Sequence, residues 1–146
     1  MGEVIAAFRA QAESGGVGLR ADVPEDMPLA DIDPLRVREV LVNLTANALR
    51  HTPRGGEVRI AVEVTSRGLC FSVTDSGTGI APEDLPHVFE RFYKTADSTG
   101  SGLGLAIARN LVLAHGGQIE ADSAAQRGTT IRFTLPLGPA AGAAAQ

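Results

Sequence analysis

The chain is short of cysteine, of long apolar runs and of clustered basic residues, and each shortage removes a class of function. Cys70 is the single cysteine in 146 residues. It cannot form an internal disulfide, which fits a reducing compartment, and it lacks the neighbours a metal or redox motif needs. Its simplest reading is a small residue in a strand. No apolar run is long enough to span a bilayer, and no signal peptide is recognisable. The formal net charge is −4, with no cluster of Lys and Arg, which argues against a nucleic-acid surface. No internal repeat is present. Two nucleotide motifs are also missing. Leu105-Ala106 follows Gly104 where a P-loop needs Lys and then Ser or Thr. The dinucleotide fingerprint G-x-G-x-x-G fails at Leu105 in one glycine run and at Pro82 in the other.

What is present points to one globular domain with a real core: hydrophobic residues make up 44% of the chain. Val4 to Gln11 reads as a short amphipathic helix stopped by Gly15-Gly16. Val17 to Val23 and Met27 to Ile32 read as strands around a turn at Pro24-Glu25-Asp26. Asp33-Pro34 supplies a cap and a first-turn proline for a helix running to about His51, with Val37, Val40, Leu41, Leu44 and Ala48 as its apolar stripe. Glu39, Asn43 and Asn47 recur every four residues along its flank.

Val58, Ile60, Val62 and Val64 alternate as in a half-buried strand, and Ser66-Arg67-Gly68 turns it into a second one carrying Leu69, Phe71 and Val73. Pro82-Glu83-Asp84 opens a short helix. Another helix runs from the Gly100 loop to about Ala114 and stops at His115-Gly116-Gly117. Two last strands, about Gln118 to Asp122 and Thr129 to Leu135, turn at Gln126-Arg127-Gly128. The pattern predicts an α/β two-layer sandwich: a mixed, mostly antiparallel sheet with helices on one face and no obvious long parallel crossover. The low-complexity segment 138–146 is expected to be a disordered, Ala-rich tail.

Three alternate glycines, Gly100, Gly102 and Gly104, run straight into a helix. Such a loop admits a close ligand, and the helix start behind it offers free N–H groups to phosphate, although tight turns share this composition. Mg²⁺ on a triphosphate prefers hard oxygen ligands, and Asn47 carries a neutral one. Adenine needs an acceptor for its exocyclic amine, and Asp75 ends a buried strand just before Gly77 and Gly79. A turn aspartate and a solvated asparagine are the plain alternatives. Arg50 and Lys94 are candidate phosphate cations, or simply solvated charges.

Together these segments resemble the ATP-binding catalytic domain of sensor histidine kinases, from the superfamily shared with type II topoisomerases, heat-shock chaperone ATPases and MutL ATPases. Asn43 to Thr52 resembles the N-box, and Asp75-Ser76-Gly77-Thr78-Gly79-Ile80 the first glycine box. Phe89-Glu90-Arg91-Phe92-Tyr93-Lys94 resembles the F-box, and Gly100 to Leu105 the second glycine box. His115-Gly116-Gly117 and Gly128-Thr129-Thr130 match the closing pattern. The likeness spans about Leu19 to Leu137.

The resemblance implies a Bergerat-type fold, ATP and Mg²⁺ as ligands, and a role for each matching position. Asn47 would hold the metal, with Asn43 supporting the phosphate end. Arg50 and Lys94 would meet phosphate. His51 would flank adenine, Asp75 would accept its amine, and Gly77 and Gly79 would leave it room. Residues 95–99 would form a short lid, with Gly100, Gly102 and Gly104 closing over the phosphates. Ile80, Tyr93, Leu103 and Leu105 would line the nucleotide, and Thr130 would complete the adenine end. At position 43 this chain has Asn where hydrolysing relatives carry a water-activating glutamate, which favours transfer to another nucleophile. Glu39 is read as a solvated glutamate rather than a substitute base.

The family's phosphoacceptor histidine is followed by Glu or Asp, whereas Thr52, Val88 and Gly116 follow His51, His87 and His115. The acceptor is therefore expected on a separate dimerisation domain, in the same full-length protein or a split-kinase subunit, with a response regulator downstream. The expected boundaries are a linker-helix remnant at 1–14 and the catalytic domain at 15–137. The domain is expected in the cytoplasm, without direct membrane contact, although a full-length parent could be anchored. An anti-sigma-type serine kinase and a non-catalytic ATP-binding module remain the alternatives.

Overall fold

In the computed structural model, residues 2–23, 34–91, 104–123 and 127–136 are described. Helix α1 (Gly2–Ser14) leads to strand β1 (Gly18–Asp22) and helix α2 (Pro34–His51). Strands β2 (Glu57–Thr65) and β3 (Gly68–Asp75) follow as a hairpin, then a 3₁₀ turn (Leu85–His87). Helix α3 (Gly104–Ala114) and the hairpin β4 (Gln118–Ser123) and β5 (Thr129–Leu135) complete the described elements. The expected Met27 to Ile32 strand and the Asp33 cap lie outside the described residues.

The strands form one sheet in the order β1-β2-β3-β5-β4. Three pairings are antiparallel, but β1 pairs parallel with β2, Leu19 opposite Val58 and Ala21 opposite Ile60. The sheet is mixed and mostly antiparallel, as expected, and the parallel crossover that was not obvious from the sequence is α2. It was hidden because it reads simply as a helix, while parallel pairing is decided by where the chain returns.

Alternation then sets the two faces. Val58, Ile60 and Val62 on β2, Leu69, Phe71 and Val73 on β3, and Ile131, Phe133 and Leu135 on β5 are buried. They share one core with Val40, Leu41, Leu44 and Ala48 of α2 and with Ala108 and Val112 of α3. Val4 and Ala12 of α1 belong to the same core. Helix α1 thus packs against the same core as α2 and α3. The opposite face carries Ser72, Thr74, Thr130 and Arg132, the last paired with Glu120 and Asp122. Helices α1 and α3 end alike: Val17 N–H returns to Ala12 O (2.9 Å) and Gly117 N–H to Val112 O (3.0 Å), with Gly16 and Gly116 left-handed.

The core centres on Phe71 and Phe133, cross-strand partners with ring centroids 4.8 Å apart and planes 7° from parallel. Phe133 is fully buried, and Val64 at the far end of β2 is 46% exposed. Phe133→Ala is therefore expected to cost about 3–5 kcal/mol. Val64→Ala should cost under about 1 kcal/mol. Urea denaturation midpoints of the two variants check both values.

Candidate functional site

The site is built around the last residue of β3. Asp75 lies on the helix-facing side of the sheet and is only 6% exposed. Its Oδ1 accepts the Gly77 N–H at 2.9 Å. Burial raises its pKa above the ordinary carboxylate value, against the lowering effects of the Gly77 N–H, of nearby His51 and of the Thr129 N–H. A carboxylate so placed offers an acceptor in a dry setting.

Two glycines make this packing possible. A Cβ on Gly77 would stand 2.2 Å from the His51 carbonyl oxygen, so the loop after β3 touches the end of α2 only without a side chain. A Cβ on Gly128 would stand 2.1 Å from the Asp75 carbonyl oxygen, and its φ is +87°. Beyond Gly77 the loop is held at Ile80, whose N–H donates to Ser123 Oγ at 2.7 Å. Before it, Ser76 exchanges two bonds with Glu57: Ser76 N–H to Glu57 O at 3.1 Å and Glu57 N–H to Ser76 Oγ at 2.8 Å.

Helix α2 supplies the second wall. Asn43, Asn47, Arg50 and His51 fall on one flank of it, beside the buried stripe. Asn43, Asn47 and His51 are half-buried and Arg50 is exposed. Asn43 Nδ2 donates to the Glu39 carbonyl at 3.1 Å, and its Oδ1 stands 3.7 Å from where a Cβ on Gly104 would be. The asparagine oxygen therefore faces the first residue of α3. Glu39 itself is exposed and pairs with Arg36 at 3.1 Å, as a solvated glutamate does.

The fold thus brings Asp75, Gly77 and His51 together at one end and Asn43 with Gly104 at the other. Asn47 lies between them on α2. Gly79 takes a left-handed turn at φ +78°, next to Ile80. Leu105 is half-buried and packs against the core. Tyr93, Lys94, Gly100, Gly102 and Leu103 lie outside the described residues.

Thr130 is not brought together with these residues. It stands opposite Thr74 on the far face, where their hydroxyls meet at 3.1 Å. Thr129, opposite Asp75 and 7% exposed, is the threonine beside that carboxylate. Two adjacent threonines differ by one step of register, and one step changes the face. Ser123 and Ser76 were also not anticipated, and lone serines at strand ends give little signal. His87 pairs with Glu90, and His115 Nδ1 bonds the Leu111 carbonyl at 2.9 Å. Cys70 is half-buried in β3, and no described helix is long and apolar enough to cross a membrane.

The sequence and the fold both have counterparts among known proteins. A family profile described as histidine kinase-, DNA gyrase B- and HSP90-like ATPase matches residues 32–139. The sensor histidine kinase WalK of Bacillus subtilis is 43% identical over 122 residues, covering 79% of this chain and 20% of that protein. The chain therefore spans about a fifth of that relative's length. The catalytic domain of histidine kinase ThkA superposes with a TM-score of 0.81 at 29% identity, covering 94% of this chain and 91% of that one. Full-length ShkA in complex with AMPPNP superposes with a TM-score of 0.84 at 31% identity, covering 92% of this chain and 28% of that one.

The raised Asp75 pKa fixes a sign. Below the unfolded value of 3.8 both states are protonated. Between that value and the raised folded one, the folded state holds the proton more firmly, so stability falls as pH rises. The stability of the wild type relative to Asp75→Asn is expected to drop across that window and then level. Denaturant titrations at a series of pH values read the difference, and an opposite slope would contradict it.

Proposed function

The chain belongs to the histidine kinase-, DNA gyrase B- and HSP90-like ATPase family, and from that premise we propose that it binds Mg·ATP and transfers the γ-phosphoryl group to a histidine on a separate dimerisation domain. The observation that carries this reading is the buried Asp75 carboxylate, enclosed by Gly77, Gly128 and Thr129 at the end of β3. It is an acceptor suited to the adenine amine. His51 flanks it, and Ile80 continues the wall.

The α2 flank suits the phosphate end. Asn43 and Asn47 offer neutral, hard oxygens, the donor type Mg²⁺ prefers. Asn47 would hold the metal and Asn43 would support it from one turn earlier. When bound, the ion neutralises phosphate charge. Arg50, exposed on the same flank, and Lys94 are the proposed phosphate contacts. Gly104 at the head of α3, with Gly100 and Gly102, would approach the phosphates through backbone N–H groups.

The direction of the chemistry follows from position 43. An asparagine amide cannot take a proton from water. Glu39 is turned to Arg36 and solvent. An outside nucleophile is therefore favoured over water, and catalysis is positioning and charge neutralisation. None of the three histidines of the chain is followed by Glu or Asp, so the acceptor is assigned to a partner hairpin, with a response regulator aspartate next in line. We place the reaction in the cytoplasm, where ATP is available.

Incubation with γ-labelled ATP, Mg²⁺ and histidine-hairpin domains tests this. Label is expected on a partner histidine. Asn47→Ala should reduce transfer at least about a hundredfold, the scale of a lost charge-stabilising group. Steady phosphate release by the chain alone, or full transfer by Asn47→Ala, would overturn the assignment.

A further inference from the structure

Arg54, in the loop between α2 and β2, reaches back to the end of the first helix. Its Nη2 donates to the Ser14 carbonyl at 2.9 Å, across 40 positions of sequence. Its side chain lies over the turn after α1: a Cβ on Gly16 would stand 2.6 Å from Arg54 Nη1 and 2.7 Å from its Cγ. Helix α1 has no basic residue in its own last turn. Arg54 brings from outside the positive charge that a helix C-terminus favours. Two backbone bonds, Gly55 N–H to the Gly16 carbonyl and Gly18 N–H to the Gly56 carbonyl, lead into the β1–β2 pairing and hold the strand. Arg54 goes further and holds the helix itself.

The other side of the same loop is pressed against the residues that follow Asp75. A Cβ on Gly56 would stand 2.5 Å from Thr52 Cγ2 and 2.8 Å from Ser76 Oγ. Glu57 and Ser76 exchange their two bonds there, and Gly77 meets the His51 carbonyl. Close packing of this kind passes a displacement on rather than absorbing it.

Helix α1 is the element suited to move. Its 13 residues are too few for a helix to be stable alone in water. It docks through a narrow stripe, with Val4 and Ala12 buried and Ile5 and Phe8 half-buried, while its other side, Ala7 and Ala10 included, is exposed. An element with so little burial opens locally before the whole fold does. We propose that Arg54 is a positioning residue that couples the docking of α1 to the loop after Asp75, so that nucleotide binding tightens α1 and release of α1 weakens nucleotide binding. The nucleotide half of this coupling rests on the reading given above, and the link between α1 and the loop stands without it.

Amide hydrogen exchange of the full chain, with and without ATP and Mg²⁺, reads both halves. Coupling is reciprocal, so ATP should slow exchange of the Phe8 amide in α1 by about tenfold and then level off at saturation. In Arg54→Ala that slowing should shrink below about twofold. Ala7→Gly weakens α1 at an exposed position remote from Asp75, and should speed Phe8 exchange about fivefold in either background. It should speed Gly77 exchange only while Arg54 is present. The Phe133 amide, at the centre of the core, reports opening of the whole fold and should not respond to Ala7→Gly. Equal slowing of Phe8 by ATP in Arg54→Ala, or a Gly77 amide indifferent to Ala7→Gly, would overturn the proposal. So would equal acceleration at Phe133, which marks a merely structural loss. Should Arg54→Ala fail to fold, Ala7→Gly in the otherwise native chain decides by the Gly77 and Phe133 amides. Failure of ATP to bind at all would remove the nucleotide reading, and the same two amides would then decide the link by themselves.

Discussion

A carboxylate placed out of water must be met by hydrogen-bond donors, and much of this site follows from that demand at Asp75. An unpaired buried charge is among the costliest features a fold can carry. Here the Gly77 N–H bonds Oδ1, and the Thr129 N–H and His51 add further stabilisation of the charged form. Each contribution comes from a different segment. The loop after β3 must fold back on itself, β5 must lie beside β3 in one register, and α2 must end where His51 ends. Burial still dominates, since the pKa remains raised.

The topology supplies that convergence. Strand β3 is central, with β2 on one side and β5 on the other. The crossover through α2 returns the chain to β2, so the helix end arrives beside the end of β3. The connection is fastened rather than draped. Thr52 Oγ1 caps the Ala48 carbonyl at 2.7 Å. Arg54 Nη2 holds the Ser14 carbonyl at 2.9 Å, and the Gly55 N–H holds the Gly16 carbonyl at 2.8 Å. The turn after α1 is thereby clamped to the loop after α2. A close backbone approach at Gly77 requires this fixity, because the gap between loop and helix end leaves no space for a methyl group.

Much of the fold was legible because its signals are periodic. Val58 to Val64 and Leu69 to Val73 alternate, the α2 stripe repeats at helical spacing, and glycines mark the helix ends. The sequence also held Asp75, Gly77, His51, Asn43 and Asn47 in an order that resembles a family, and the fold brings them to one side of the sheet. The parallel β1–β2 pairing was less legible, since it depends on chain return rather than on local pattern. Which of Thr129 and Thr130 stands beside Asp75 was also less legible, because the two differ only in strand register. Ser123 left no trace in the sequence: it accepts the Ile80 N–H from 43 positions away, which no local pattern encodes.

The two ends of the site are built by different means, and the difference bears on what the domain can do. The Asp75 end is held by strand register and hydrogen bonds, a setting in which an acceptor keeps its place without side-chain freedom. The opposite end relies on a helix flank, where Asn43 and Asn47 present amides one turn apart and Asn43 is oriented by its bond to the Glu39 carbonyl. Amides orient and coordinate, but they exchange no protons. A base at position 43 would let the same frame activate water. With asparagine there, this chain is proposed to hold a nucleotide and its charge in place and to leave deprotonation of the nucleophile to another surface. Phosphoryl transfer needs little covalent help from the enzyme and much positioning. On the function proposed above, a domain that fixes the nucleotide and omits the base would deliver phosphoryl groups to a partner that brings its own.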